Sequence, residues 1–347
     1  AAVHRPETVA LVPSAFLTAP GAAVRQKEDP VKLDFGLQVS RFDWPGHPAT
    51  TAATLAAVAR AAEDAGFGSL WVMDHFLQIP QVGREWEDML ESHTTLGYLS
   101  GVTERIRLGT LVTGITYRNI AHLAKIVATL DVLSGGRALC GIGAAWFERE
   151  HDAFGIDFGA SPGERIGWLD EAVMLMRRLF DGERVDHDGP RYAMRDALCE
   201  PRPVQPHLPI LIGGSGRQKT LRVVAERADA WNTAGSYDYV VDALRTLEQH
   251  CADVGRDPAT IEKTVSFPIV LRDDAAAADA RTRELLGANG VEVDDFEGYV
   301  AGTPSAVAAI LKPYRDLGFE TFIVRMPAPF DDETIERMPE VAALLAR

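Results

Sequence analysis

The chain is short of cysteine, of basic charge and of long apolar runs, and each shortage excludes something. Only three cysteines occur in 347 residues, Cys140, Cys199 and Cys251, and no two are spaced as CxxC. So sparse and odd a set argues against a disulfide framework or a zinc site and suits a reducing cytoplasm. Lysine and arginine number 35 against 50 aspartates and glutamates, a formal charge of −15. A surface of that sign repels phosphate backbones, so nucleic acid is not expected as a partner, although local backbone amides can still bind a phosphate. No apolar stretch reaches the roughly 18 residues that span a bilayer, so no membrane segment is expected.

What is present is an alternation of short β-rich runs with helical periodicity, the pattern of parallel strands joined by crossover helices. Strands are expected at 33–39, 69–74, 106–113, 137–142, 209–212, 229–232, 265–271 and 321–326, eight in all, the number that closes a (β/α)8 TIM barrel. Leu55, Val58, Ala59 and Ala62 share one face of the first helix, and Ile166, Leu169, Val173, Met176 and Phe180 one face of the fourth. Gly66 and Gly68 close the first helix, and Thr303-Pro304 opens a late one. The expected organisation is one barrel domain over 33–347, with an insertion at 183–205 and a lid at 275–299. Residues 1–32 read as an N-terminal extension, a flexible arm or one packed on a partner subunit. Pro13, Pro20 and a thin basic flank count against a signal peptide there. A Rossmann fold is the rival: Gly141-Ile142-Gly143-Ala144-Ala145-Trp146 begins like GxGxxG, but Trp146 stands at the third glycine, mid-chain.

Barrel sites form at the carboxyl ends of strands, so the residues there are the candidates. Asp74 and His75 follow apolar Leu70-Trp71-Val72-Met73 at the end of the second strand. A carboxylate beside an imidazole can orient it and let it exchange a proton near neutrality; the plainer alternative is a capped turn and a packed ring. Gly143, Ala144, Ala145 and Trp146 supply small residues where a backbone must approach a ring, though close helix–strand packing explains the glycines equally well. Gly213-Gly214-Ser215-Gly216 precedes a helix near Lys219, and its exposed amides, helix terminus and hydroxyl make a phosphate cradle. Gln38, Phe42, Asp43 and Trp44 follow the first strand, and Trp231-Asn232 ends the sixth; Gln38, Trp44, Trp231 and Asn232 are the substrate-side candidates. Glu85, Glu87, Asp88 and Glu91 read as a solvated face, and His122 and Lys125 as structural. No metal site is expected.

The strings Trp71-Val72-Met73-Asp74-His75-Phe76, Leu133-Ser134-Gly135-Gly136-Arg137 and Ile210-Leu211-Ile212-Gly213-Gly214-Ser215-Gly216, in this order, resemble the luciferase-like monooxygenase superfamily. Phe35-Gly36-Leu37-Gln38, Ser40–Gly46, Leu111–Asn119 and Pro201–Gln205 are similar to its coenzyme F420-dependent oxidoreductase branch. Ile120 departs from the branch, which usually has proline there, and the N-terminal arm is extra. The resemblance implies a luciferase-type barrel holding the deazaflavin F420, with Asp74 and His75 at the ring and His75 handling the proton. It further implies a cis peptide bond at Leu111–Val112, in a bulge of Leu111, Val112 and Thr113 behind the cofactor. The activity implied is hydride transfer between F420 C5 and a small organic substrate, with oxygen not a substrate. The alternatives are an FMN-dependent monooxygenase using oxygen and a partner flavin reductase, and a non-catalytic flavin-binding barrel. A homodimer is implied by analogy.

Overall fold

The structure, a computed structural model, describes residues 33–290, 298–326 and 330–346. The expected N-terminal arm and residues 291–297 of the expected lid lie outside these residues. Eight parallel strands close on themselves: β1 Asp34–Val39, β2 Ser69–Val72, β3 Arg107–Thr110, β4 Ala138–Gly143, β5 Ile210–Gly213, β6 Ala230–Thr233, β7 Glu262–Leu271 and β8 Thr321–Met326. The ring closes where β1 pairs with β8 in parallel, Asp34 opposite Thr321 through Val39 opposite Met326. A Rossmann sheet stays open, whereas these eight strands close into a ring, so the rival reading falls.

The strands are nearly continuous apolar runs because helices cover them outside and side chains fill them inside. Leu37 and Val39 point outward to the helix layer, where Leu55, Val58, Ala59 and Ala62 of helix Thr51–Asp64 are buried. Inside, Trp71, Leu139, Leu211, Ala230 and Ile323 form a separate plug, with Leu111 and Val112 packed on it. The Trp71 indole is its largest member, and β1 and β3 make room for it with glycine: a Cβ on Gly36 or on Gly109 would lie 2.8 Å from the indole. The plug is the floor of whatever the barrel mouth holds.

Several boundaries differ from the sequence reading by one to three residues. β3 stops at Thr110 and resumes at Thr113–Gly114, which pairs with β4. The break is the Leu111–Val112 step, whose peptide bond is cis. The stretch 183–205, expected as an insertion, contains an antiparallel hairpin, Val185–Asp188 with Ala193–Ala197. The expected lid begins as helix Ala275–Ala288, capped by Asp274. Helix Pro304–Asp316 opens on Thr303, whose side chain accepts from the Ala306 amide. Gly135, at φ 70°, ends helix Ile120–Ser134 at the opposite end of the barrel from the site.

Candidate active site

The carboxyl ends of the strands surround a cavity of about 740 Å³, which suits a ligand of cofactor size. Strand alternation decides who faces it. Along β2 and its extension, Trp71 belongs to the interior plug, Met73 and His75 line the cavity, and Val72 and Asp74 point the other way. His75 is therefore in the site and Asp74 is not.

Asp74 is buried behind the barrel wall and belongs to another network. Its carboxylate accepts from Arg118 Nη1 at 2.6 Å, from Arg118 Nη2 at 2.9 Å and from Ser92 Oγ at 2.7 Å. Arg118 also reaches Glu91 at 2.6 Å, and Glu91 caps helix Ser92–Val102. Donation by Arg118, His93 and the Thr94 amide outweighs burial and holds the Glu91 carboxyl far below the ordinary range. The sequence reading of Asp74 as the group that orients His75 is corrected: adjacent residues on an extended chain face opposite ways.

The carboxylate that orients His75 is Glu150, which sequence reasoning missed. His75 Nδ1 lies 2.7 Å from Glu150 Oε1. Glu150 is fully buried in helix Glu148–Phe154, directly after the Gly143–Trp146 turn. It also accepts from the Phe76 amide at 2.8 Å and from the Tyr117 hydroxyl. Burial pushes the Glu150 carboxyl up, but His75, Tyr117 and the Phe76 amide outweigh it and hold the group below its ordinary value. Burial and the facing Glu150 charge drive the Tyr117 phenol well above its own. An ionised Glu150 only accepts, so Nδ1 of His75 carries a proton and donates it. Nε2 makes no hydrogen bond to any described residue. Trp146 and Phe147 stand edge-on to the imidazole, with centroids 5.7 and 6.0 Å away. The result is an imidazole locked in rotamer and tautomer, with one nitrogen left for a ligand. The acidic residue after the glycine turn was the available sequence signal, but nothing local marks Glu150 apart from Glu148.

The other candidates divide. Leu111, Val112, Gly143, Ala144, Ala145, Trp146, Gly213, Gly214, Ser215 and Gly216 all line the cavity, as do Gln38 and Asn232. Val112 projects from the bulge so closely that a Cβ on Gly143 would come within 2.7 Å of its side chain and one on Gly213 within 3.0 Å. Ala145 holds φ 62°, rare for a residue with a Cβ, and turns the chain between Gly143 and Trp146. Gly214 has φ 119°, and Ser215 Oγ lies 2.7 Å from Thr233 Oγ1 beside helix Thr220–Arg227. Gln38 donates to the Leu111 carbonyl at 3.4 Å, and Asn232 donates to Thr264 and Ser266.

Three candidates are corrected. Thr113 is buried and shares a hydrogen bond with Thr110 at 2.8 Å, fastening the bulge from behind. Trp231 is fully buried on the outward face of β6, where Nε1 donates to the Gly214 carbonyl at 2.8 Å and braces the cradle. Trp44 is buried between Phe42 and Phe330, at centroid distances of 5.7 and 5.1 Å, because burying an indole against rings is worth more than leaving it on the rim. Among the described residues, Asp74, Glu91 and His93 form a candidate cation site, which the Arg118 guanidinium already neutralises.

A closed parallel barrel with a cavity at the strand carboxyl ends, carrying a glycine cradle and a fixed histidine, defines a ligand-binding (β/α)8 enzyme scaffold. The luciferase-like monooxygenase family model matches residues 34–299, and the chain belongs to that family. An uncharacterised protein of Mycobacterium tuberculosis is 33% identical over 265 residues, covering 71% of this chain and 91% of the relative. An F420-dependent glucose-6-phosphate dehydrogenase of Kineococcus radiotolerans is 29% identical, covering 86% and 92%. Among solved structures, an F420-dependent secondary alcohol dehydrogenase with an F420–acetone adduct superposes with a TM-score of 0.75 at 20% identity, covering 90% of this chain and 99% of that one. The monooxygenase RslO1 of Streptomyces bottropensis gives 0.74 at 22% identity, with the same coverage, so these two likenesses describe the fold alone.

Proposed function

We propose that the protein is an F420-dependent oxidoreductase that transfers a hydride between the deazaflavin and a small organic substrate. The observation that carries this reading is the cavity-facing His75, fixed through Nδ1 by buried Glu150, with Nε2 unbonded among the described residues. The cofactor choice is supported by relatives named as F420-dependent enzymes.

The residues present fit such a cofactor. Gly143 and Gly213 leave the bulge side chain of Val112 as a flat apolar shelf that any Cβ would crowd. Gly214, Ser215 and Gly216, ahead of helix Thr220–Arg227, offer amides and a hydroxyl to a phosphate. Leu111, Val112 and Ala144 would hold the ring, and the cradle its phosphate. When bound, F420 supplies or accepts a hydride at C5. The chain's own part is to position the acceptor, exclude water and move a proton at His75 Nε2, while Glu150 stabilises the charged imidazolium.

The test is separate titration of purified protein with oxidised F420 and with FMN, followed by fluorescence. Binding of F420 at roughly micromolar concentration, with FMN much weaker, is expected. A preference for FMN overturns the reading in favour of a monooxygenase with a partner reductase.

A further inference from the structure

Among the described residues, the cavity lining is cationic although the protein is acidic. Of the described residues that line it, none is an aspartate or glutamate, and the arginines are Arg165 and Arg325. Buried arginines elsewhere are paired: Arg41 with Asp43 and Glu87, Arg118 with Asp74 and Glu91. Arg165 sits on the cradle side with Pro162 and Thr220, its guanidinium over the Phe158 ring at 3.7 Å.

Arg325 is different. It lies on β8 two residues beyond Ile323, which belongs to the interior plug, so its side chain shares that inward face at the barrel mouth. It makes no hydrogen bond or ion pair with any described residue. The rest of β8 is buried, whereas Arg325 keeps its surface open to the cavity. Partial desolvation lowers the guanidinium from its ordinary value, and the Tyr299 phenol, which lines the same cavity, opposes that shift. Its exposed guanidinium is open to a ligand in the cavity, and no carboxylate of the described residues lines that cavity to compete for it. Its planar fork fits a carboxylate or phosphate by paired hydrogen bonds.

Its place says which ligand that partner belongs to. Arg325 is in register with Gln38 on β1, and Gln38 reaches across to the Leu111 carbonyl of the bulge. An anion on Arg325 is thus one strand from Gln38, which in turn touches the shelf assigned above to the ring. The phosphate cradle follows β5, three strands away from β8 around the ring. We propose that Arg325 anchors the substrate, and that the substrates are small molecules bearing a carboxylate or phosphate, oriented by Arg325 and Gln38 towards His75. This rests on the oxidoreductase reading for the word substrate, while the anion site itself does not.

The test titrates succinate, inorganic phosphate and neutral succinamide into the F420-loaded protein, following the bound cofactor's absorbance. The same titrations on cofactor-free protein follow tryptophan fluorescence. Native protein is expected to bind at least one of the two anions about tenfold more tightly than succinamide, and Arg325→Gln to erase that preference while F420 affinity stays within about twofold. Succinate against phosphate tells which oxyanion is preferred. Arg325→Lys, which keeps the charge, is expected to retain part of the preference and serves if Arg325→Gln does not fold. Equal binding of succinamide, or anion binding undiminished in Arg325→Gln, overturns the proposal. So does a tenfold loss of F420 affinity in that variant, because Arg325 then holds the cofactor. If native protein binds no F420, the cofactor reading fails, and the cofactor-free titration still decides Arg325.

Discussion

His75 Nδ1 and Glu150 Oε1 stand 2.7 Å apart although 75 residues separate them in the chain. That contact turns a rim histidine into an oriented one. Two buried features prevent its rearrangement: the Phe76 amide fixes the other carboxylate oxygen, and Tyr117 shares the first.

Replacing His75 by Ala is expected to lower turnover about 10²–10⁴-fold, the range of general acid–base assistance, with F420 affinity nearly unchanged. Glu150→Gln keeps the shape but offers Nδ1 an amide in place of a charge, so turnover is expected to fall while the fold survives. Steady-state rates beside cofactor titrations check both. Loss of cofactor binding in step with turnover would show that the pair holds the ring rather than a proton.

Acid should expose the same carboxylate. The folded Glu150 group titrates below 4.5, so its contribution to stability is complete above that pH and is lost as pH falls through the depressed value. The melting temperature of the native protein is therefore expected to fall more steeply below about pH 4.5 than that of Glu150→Gln. Parallel curves would show that Glu150 is already protonated in the fold.

Asp74→Asn is a different experiment from either. Its target is the buried pair with Arg118, and breaking such a pair costs about 3 kcal/mol, the low end of the usual range because Glu91 still holds Arg118. Chemical denaturation should register that loss, while the folded fraction keeps its turnover number. A large fall in turnover with unchanged stability would return Asp74 to the chemistry.

The turn after β4 gives two substitutions, two residues apart, of opposite effect. Gly143→Ala places a Cβ 2.7 Å from the Val112 side chain and should push the bulge, costing about 1–3 kcal/mol and weakening F420 binding. Ala145→Gly relieves a left-handed residue at φ 62° worth about 1–2 kcal/mol, partly offset by the greater freedom of glycine unfolded. Thermal melts should show the first variant less stable and the second no less stable than native. A tolerated Gly143→Ala would mean that the bulge is free to move.

Much of this protein is written locally. Eight apolar runs bounded by helical segments determine a closed parallel barrel, because each run must be covered on both faces and eight such units complete a ring. The glycine strings at 141–143 and 213–216 likewise mark where backbone must pass close to something. Strand alternation was in the sequence too: Trp71, Met73 and His75 share a face that Asp74 cannot, and the adjacent pair was misread only by overlooking it.

Tertiary structure decided the partners. Glu150 becomes the orienting carboxylate because a turn of helix after β4 lies against the end of β2, and no periodicity within either segment reports that approach. Trp44 and Trp231 read as substrate-side candidates, but Phe330 and the Gly214 carbonyl, both distant in sequence, give them buried places. Nothing in the sequence around Arg325 marks it, and only closure of β8 on β1 sets it at the barrel mouth, where no carboxylate of the described residues lines the cavity. Period and propensity are properties of neighbours in the chain; the charges that meet across the barrel mouth are set by closure of the ring.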